Sequence, residues 1–185
     1  EGLDFKVMLG LDFGAEVSNP DCPWGAEFGV ETLTKNRRQN DEQVGNAIEL
    51  ANRYPDVVFS VAVGNEAAVD WTDHMVSVER LISFVQRIRQ GAQQPITFCE
   101  NYLPWTGKLE PLAAELDFIS LHTYPVWEYH TIEGALQYTK QNYKSVAKHY
   151  PEKPVVVTEA GWTTKSNGRG IDAWNASEHF QSEYY

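Results

Sequence analysis

The chain has 185 residues, of which 42% are hydrophobic and 12% aromatic, so it is long enough and apolar enough to bury a core. The formal net charge of −11, without a dense lysine or arginine cluster, argues against nucleic acid or an anionic membrane as the main partner. No apolar run approaches the roughly 20 residues that cross a bilayer. A neutral ligand such as a sugar fits this composition better.

Short apolar runs alternate with amphipathic segments, which predicts strands alternating with helices. The expected strands are residues 5–11, 57–63, 95–99, 117–124 and 154–159. The expected helices lie near residues 41–54, 73–90, 109–115 and 131–149. Thr72 and Thr131 are the expected N-caps of the second and fourth helices, and Ser177 that of a further helix at the end of the sequence.

Strict alternation of strands and helices is typical of right-handed crossovers and a parallel sheet covered by helices. The alternatives are an open doubly wound sheet and a closed eight-stranded barrel. The stretch LGLDFGAE lacks the GxGxxG spacing, which argues against a nucleotide-binding open sheet. The sequence therefore predicts an α/β fold of the (β/α)8 TIM-barrel type, in which residues 1–185 form one catalytic domain of about five β/α units. We expect further strands before residue 5 and after the helix at Ser177.

Two carboxylates each follow an apolar strand: Glu66 in VAVGNEA and Glu159 in VVVTEAGW. Burying an ionised carboxylate is costly unless it is paired, so two of them at the shared face of a barrel favour a functional site over two separate caps or ion pairs. Paired carboxylates are typical of glycoside hydrolysis. Aromatic residues near these strand ends offer flat faces to sugar rings: Tyr102, Trp105, Tyr124, Trp127, Tyr129 and Trp162.

The pieces VMLGLD, VAVGNE, DFISLHTYPVWEY and VVVTEAGW, in this order, resemble the third, fourth, sixth and seventh strands of glycoside hydrolase family 17. That family comprises β-1,3-glucanases and glucanosyltransferases, built as (β/α)8 barrels of the clan A retaining glycosidases. The resemblance runs from about residue 3 to residue 180. It implies that Glu66 is the general acid/base and Glu159 the nucleophile.

Further roles follow from the same resemblance. Asn65 matches the asparagine that hydrogen-bonds the sugar 2-hydroxyl, and Tyr124 the tyrosine beside the nucleophile. Trp162 falls at the tryptophan of the E-x-G-W signature, with a sugar-stacking or pocket-wall role. Two departures, GWT in place of GWP and His122 where plant members have asparagine, indicate a microbial-type member.

The mechanism implied by the resemblance is double displacement on a β-1,3-glucan, with the two carboxyl groups about 5 to 5.5 Å apart. A glucanosyltransferase would use the same residues, and a non-catalytic glucan-binding barrel is the alternative from another class. The expected partner is a β-glucan oligosaccharide or polysaccharide, and the expected location is extracellular or periplasmic.

Other residues near the strand ends carry two interpretations each. Glu100 contacts either substrate or a neighbouring loop, and Tyr102 either stacks on sugar or packs in its loop. For Trp127 and Tyr129, which follow the YP turn, a sugar subsite is favoured. For His122, which shares a strand face with Tyr124, a hydrogen-bonded interior histidine is favoured over a metal ligand.

The two cysteines, Cys22 and Cys99, have neither a CxxC partner nor a nearby histidine at zinc spacing. Two free thiols are favoured, although a bridge between them remains an alternative. The sequence predicts no metal and no other cofactor.

Overall fold

The computed structural model describes residues 4–168 and 171–185. Within these ranges, five parallel strands form one sheet in the order β1-β2-β3-β4-β5 and curl into part of a barrel with alternating helices. The strands are β1 (Val7–Gly10), β2 (Val58–Asn65), β3 (Ile96–Asn101), β4 (Ile119–Thr123) and β5 (Val155–Ala160). The predicted (β/α) barrel type is confirmed.

Five α-helices accompany the strands in the described ranges: α1 (Val30–Arg53), α2 (Val78–Gly91), α3 (Glu110–Glu115), α4 (Ile132–His149) and α5 (Glu178–Tyr184). Short 3-10 turns follow β3, β4 and β5, at Leu103–Thr106, Pro125–Glu128 and Ala173–Asn175. None of the described helices is both long and apolar enough to cross a membrane.

Two helix starts differ from the sequence-based expectation. Helix α1 begins at Val30 rather than near residue 41. The sequence pattern did not reveal its first turns, because they are polar and exposed and carry no apolar stripe. Helix α2 begins at Val78, and its N-cap is Ser77, whose side chain accepts the N–H of Arg80. The expectation of Thr72 as that cap was wrong. By contrast, Ser177 caps α5 as predicted and accepts the N–H of Phe180.

The main core lies between the sheet and the helices. Val61, Phe98 and Leu121 of the strands are fully buried in one cluster with Phe84 and Ile88 of α2. A smaller second core forms beneath the loops that follow β4 and β5, and its buried members are Val126, Ile132, Ala135, Trp162 and Ile171. The loops at the C-terminal ends of the strands therefore rest on packed side chains.

Both cysteines are buried and free, so the favoured alternative of two thiols is confirmed. Cys22 lies in the loop after β1 and its thiol donates to the carbonyl of Trp71, 3.3 Å away. Cys99 lies within β3.

Candidate active site

Three side chains meet at the C-terminal ends of β2, β4 and β5. His122 Nδ1 lies 3.0 Å from Glu66 Oε1 and 3.4 Å from Glu159 Oε2. The ligand atoms of all three residues lie within 4.8 Å of one another. The strand-end carboxylates that the sequence singled out therefore form a pair, with a histidine between them.

The backbone at the end of β2 takes an unusual path. Gly64 has φ of 109° and Glu66 has φ of 46°, a left-handed conformation that side-chain-bearing residues rarely adopt. The N–H of Glu66 donates to the carbonyl of Cys99 at 2.9 Å, which holds the turn against β3. With this backbone conformation, Glu66 Oε1 lies 3.0 Å from His122 Nδ1.

Glu159 accepts a hydrogen bond from the hydroxyl of Tyr124, with an O–O distance of 2.8 Å. Burial, followed by this hydrogen bond and the charge of Glu159, raises the pKa of Tyr124, so the hydroxyl stays protonated and remains a donor. The side chains of Glu66 and Glu159 are 31% and 39% exposed. Both carboxylates are thus ordered by neighbours and still open to a ligand.

His122 is the buried member of the group, with its side chain 1% exposed. Burial lowers the pKa of the imidazole, but interactions with the side chains of Cys99 and Glu66 and the charge of Glu159 outweigh it and raise the pKa to about 9. These interactions favour the protonated form of the ring, whose charge balances part of the carboxylate charge. Each of Glu66, His122 and Glu159 also offers one ligand atom of a type that coordinates divalent cations.

Of the two interpretations of Glu100, a substrate contact or a contact to a neighbouring loop, the structure supports the second. Its side chain is fully buried, and its two oxygens accept the N–H groups of Ala68 at 2.9 Å and Asn101 at 2.8 Å. Burial raises the pKa of this carboxyl to about 7 in spite of those two hydrogen bonds. Glu100 therefore fixes the loop that follows Glu66 and is not open to a substrate.

Tyr102 belongs to a separate hydrogen-bonded group. Its hydroxyl donates to Glu128 Oε2 at 2.7 Å and lies 2.6 Å from the hydroxyl of Tyr138, which also bonds Glu128. This group anchors the short turn after β4 to β3 and α4. The hydroxyl of Tyr102 is thus engaged within the protein, and only the ring remains for stacking.

The aromatic residues of the loops differ in exposure. Trp127 is 49% exposed and Tyr129 is 79% exposed, and Tyr129 has φ of 61°. Trp162, in contrast, is 3% exposed, and its indole N–H donates to the carbonyl of Asn175 at 2.8 Å. Trp162 has no face open for sugar stacking, because the second core covers it, and its pocket-wall role is the one compatible with this burial.

Contacts that the sequence did not reveal hold the segment after Glu66. The Asn19 side chain, in the loop after β1, donates to the carbonyls of Asp70 and Thr72, each at 2.8 Å. His74 Nε2 lies 2.9 Å from the carbonyl of Asn65. A lone asparagine in a loop gives no sequence signal for such a tie, which exists only once the two loops are adjacent.

The barrel architecture and the pair of strand-end carboxylates define the class of a glycosidase-type domain with a clan A-like fold. The family model of the BtgE/BtgC glycoside hydrolase domain matches residues 26–184. The chain belongs to this family. Comparison with curated proteins finds no match.

Solved structures share the fold. An endo-laminarinase from Formosa Hel1_33_131 has a TM-score of 0.71 at 24% identity, over 78% of this chain and 48% of that one. A glycoside hydrolase family 17 β-1,3-glucanosyltransferase from Rhizomucor miehei has 0.59 at 20% identity, over 77% and 54%. Its active-site mutant in complex with laminaritriose has 0.61 at 16% identity, over 96% and 79%. The chain spans about half the length of the first two, with 48% and 54% covered.

Proposed function

We propose that this protein is a retaining glycoside hydrolase of family 17 that cleaves β-1,3-glucan by double displacement. One observation carries the proposal: the facing atoms of Glu66 and Glu159 lie within 4.8 Å of each other. Retaining enzymes hold their carboxyl groups about 5 to 5.5 Å apart, whereas inverting enzymes leave about 6.5 to 9.5 Å for a water molecule. An approach within 4.8 Å supports the spacing of a retaining enzyme over that of an inverting one.

The roles of the two carboxylates differ in the proposed mechanism. Glu159, oriented by the Tyr124 hydroxyl, attacks the anomeric carbon, while Glu66 protonates the departing glycosidic oxygen. The resulting glycosyl ester on Glu159 is then attacked by a water molecule that gives its proton to Glu66. Asn65, next to the acid/base, is the proposed contact to the sugar 2-hydroxyl.

Three features support β-1,3-glucan as the substrate. The net charge of −11 favours a neutral ligand, and Trp127 and Tyr129 expose aromatic faces close behind β4. The sequence motifs resemble glycoside hydrolase family 17. Two structural neighbours are an endo-laminarinase and a β-1,3-glucanosyltransferase studied with laminaritriose.

Glucan transfer is the second candidate, since a second glucan could replace water in resolving the glycosyl ester. The exposed rings of Trp127 and Tyr129 would offer an acceptor sugar a stacking surface. Incubation with laminari-oligosaccharides distinguishes the two reactions. Products longer than the starting sugar indicate transfer, and exclusively shorter products indicate hydrolysis.

The proposal is tested by replacing the nucleophile. Glu159→Gln should lower kcat by at least about a thousandfold and leave oligosaccharide binding largely intact. The matched control Glu152→Gln changes an exposed glutamate in the turn before β5 and should keep wild-type kcat. Proton NMR of the first-formed anomer should show retained configuration. An inverted product, or full activity of Glu159→Gln, would refute the mechanism.

A further inference from the structure

The loop after β1 contains a hairpin of residues 19–26, the Trp24 hairpin, which carries an exposed tryptophan at its turn. Asn19 and Ala26 pair as an antiparallel bridge, and the N–H of Asn19 donates to the carbonyl of Ala26 at 2.9 Å. The N–H of Gly25 donates to the carbonyl of Cys22 at 3.1 Å, and Gly25 has φ of 82°, a conformation that glycine adopts readily. These bonds fix the turn, on which Trp24 is 58% exposed.

Burial in the Trp24 hairpin places an asparagine inside and the tryptophan outside. Asn19, Cys22 and Ala26 are buried. The Asn19 side chain and the Cys22 thiol donate to the three backbone carbonyls of residues 70–72. Small side chains therefore anchor the hairpin, while its largest apolar side chain is left in water. This anchoring holds the exposed indole in a fixed place where it can meet a ligand.

The Trp24 hairpin lies on the same face of the sheet as the paired carboxylates. It follows the C-terminal end of β1, and residues 70–72, to which it is bonded, follow the C-terminal end of β2. This second segment continues to His74, whose Nε2 lies 2.9 Å from the carbonyl of Asn65, the residue before the proposed acid/base. Strands β1 and β5 are opposite edges of the described sheet, and the proposed nucleophile is on β5. A ligand bound on the hairpin therefore lies outside the position of nucleophilic attack.

The surroundings of the ring favour a neutral sugar as its ligand. Asp21 and Glu27 are exposed on the same hairpin, and together with the net charge of −11 they oppose an anionic membrane or nucleic acid. The indole offers a flat apolar face, which fits the C–H face of a pyranose ring. Pro23 restricts the backbone next to Trp24, so little conformational freedom is lost on stacking.

We propose that Trp24 stacks on a sugar ring of the glucan at an outer subsite, separate from the subsites that flank the cleaved bond. The inference rests on the proposed function, because it assigns a further contact to the same substrate. A long glucan reaches from the carboxylates to the hairpin, whereas a short one occupies only the cleavage site. Binding energy gained at Trp24 therefore favours long chains. Trp24 determines specificity in this scheme and takes no part in bond cleavage.

The first test compares kcat/KM for laminari-oligosaccharides of increasing length. In Trp24→Ala, the ratio of kcat/KM for the longest to that for the shortest cleaved oligosaccharide should fall about five- to tenfold, the loss expected for one aromatic contact. Trp24→Phe keeps a ring and should retain most of the wild-type ratio. The control Tyr54→Ala removes an exposed ring just after α1, at the opposite ends of the strands, and should keep the wild-type ratio. Because the ratio is measured on one protein sample, a partial loss of folded protein does not change it.

The second test measures binding without turnover, by calorimetric titration of the same oligosaccharides into Glu159→Gln with and without Trp24→Ala. The affinity for the longest oligosaccharide should be about five- to tenfold lower in the double variant.

The outcomes separate the inference from the proposed function. If glucan is cleaved but neither the ratio nor the affinity changes, the inference is overturned and the proposed function stands. The same holds if Trp24→Ala leaves the ratio unchanged and converts a wild-type dimer into a monomer in sedimentation, because the ring then serves a second copy of the chain. If the wild-type protein binds glucan without cleaving it, the proposed function alone is overturned and the affinities decide the inference. If it neither binds nor cleaves glucan, both are overturned.

Discussion

Gly64 occupies a position that a side chain would disrupt, two residues before Glu66, the proposed acid/base. Its φ is 109°, and a Cβ atom added there would lie 2.8 Å from a ring carbon of Phe98 and 3.3 Å from the ring of Phe13. Phe98 is fully buried and Phe13 nearly so, which leaves neither ring free to withdraw. We therefore expect Gly64→Ala to destabilise the fold and to displace Glu66.

The expected magnitude combines two contributions. A residue with a side chain held in this region of backbone conformation costs about 1–3 kcal/mol. Forcing a methyl group into a packed core costs about another 1–3 kcal/mol, since the rings must shift or leave their preferred rotamers. The same backbone movement relieves part of both, so the free energy of unfolding should fall by about 2–5 kcal/mol.

The assay is urea unfolding, followed by tryptophan fluorescence, with Gly45→Ala as a control of opposite sign. Gly45 lies within the exposed part of α1 and a Cβ atom added there meets nothing within 4 Å. Alanine should raise the free energy of unfolding by about 0.5–1 kcal/mol at that position. A Gly64→Ala protein with the wild-type urea midpoint and slope would refute the steric argument.

Two further predictions concern Tyr124 and Glu100. Tyr124→Phe removes a hydrogen bond worth about 1.5–3 kcal/mol to a part-exposed carboxylate, so we take the lower end and expect kcat/KM to fall about tenfold. The control Tyr150→Phe loses a hydroxyl that donates to the Trp105 carbonyl and should keep the wild-type kcat/KM. If Tyr124→Phe and the wild type were equally active, the role of Tyr124 would be contradicted. Burial raises the pKa of Glu100 from 4.5 to about 7, so the native state binds more protons than the unfolded state between these values. The contribution of this group to the free energy of unfolding should therefore fall as pH rises from 4.5 to about 7. Urea titrations at several pH values should show that Glu100→Gln has a flatter dependence of this free energy on pH. An unchanged dependence would count against the burial effect.

The sequence was sufficient to predict the pairing of Glu66 with Glu159. Each ends an apolar strand, and the carboxyl ends of parallel strands meet at one face, so their proximity followed from the fold class alone. Strand alternation also placed His122 and Tyr124 on the same face, and both contact the carboxylates. The alternation of side chains along the strands and the order of the strands were therefore enough to place these four residues together.

The sequence was insufficient where burial depends on distant segments. Trp162 stands in a recognisable motif, but the motif does not reveal that Ile171 and Ile132 pack with it in the second core. The orientation of Glu100 depends on β3 continuing to Asn101, beyond the apolar run that defined the strand. The start of α1 was missed because a helix exposed on most sides has no apolar period to detect.

We expect the completed site to form late in folding, because the hydrogen bonds around it join distant parts of the sequence. Asn19 reaches Asp70 across 51 residues of sequence, His122 reaches Glu66 across 56, and Tyr124 reaches Glu159 across 35. Helices form from local contacts, whereas these hydrogen bonds require three separate strand ends to be in register. A refolding chain should regain its helical circular dichroism before its catalytic activity, and the delay between the two would time the assembly of the sheet.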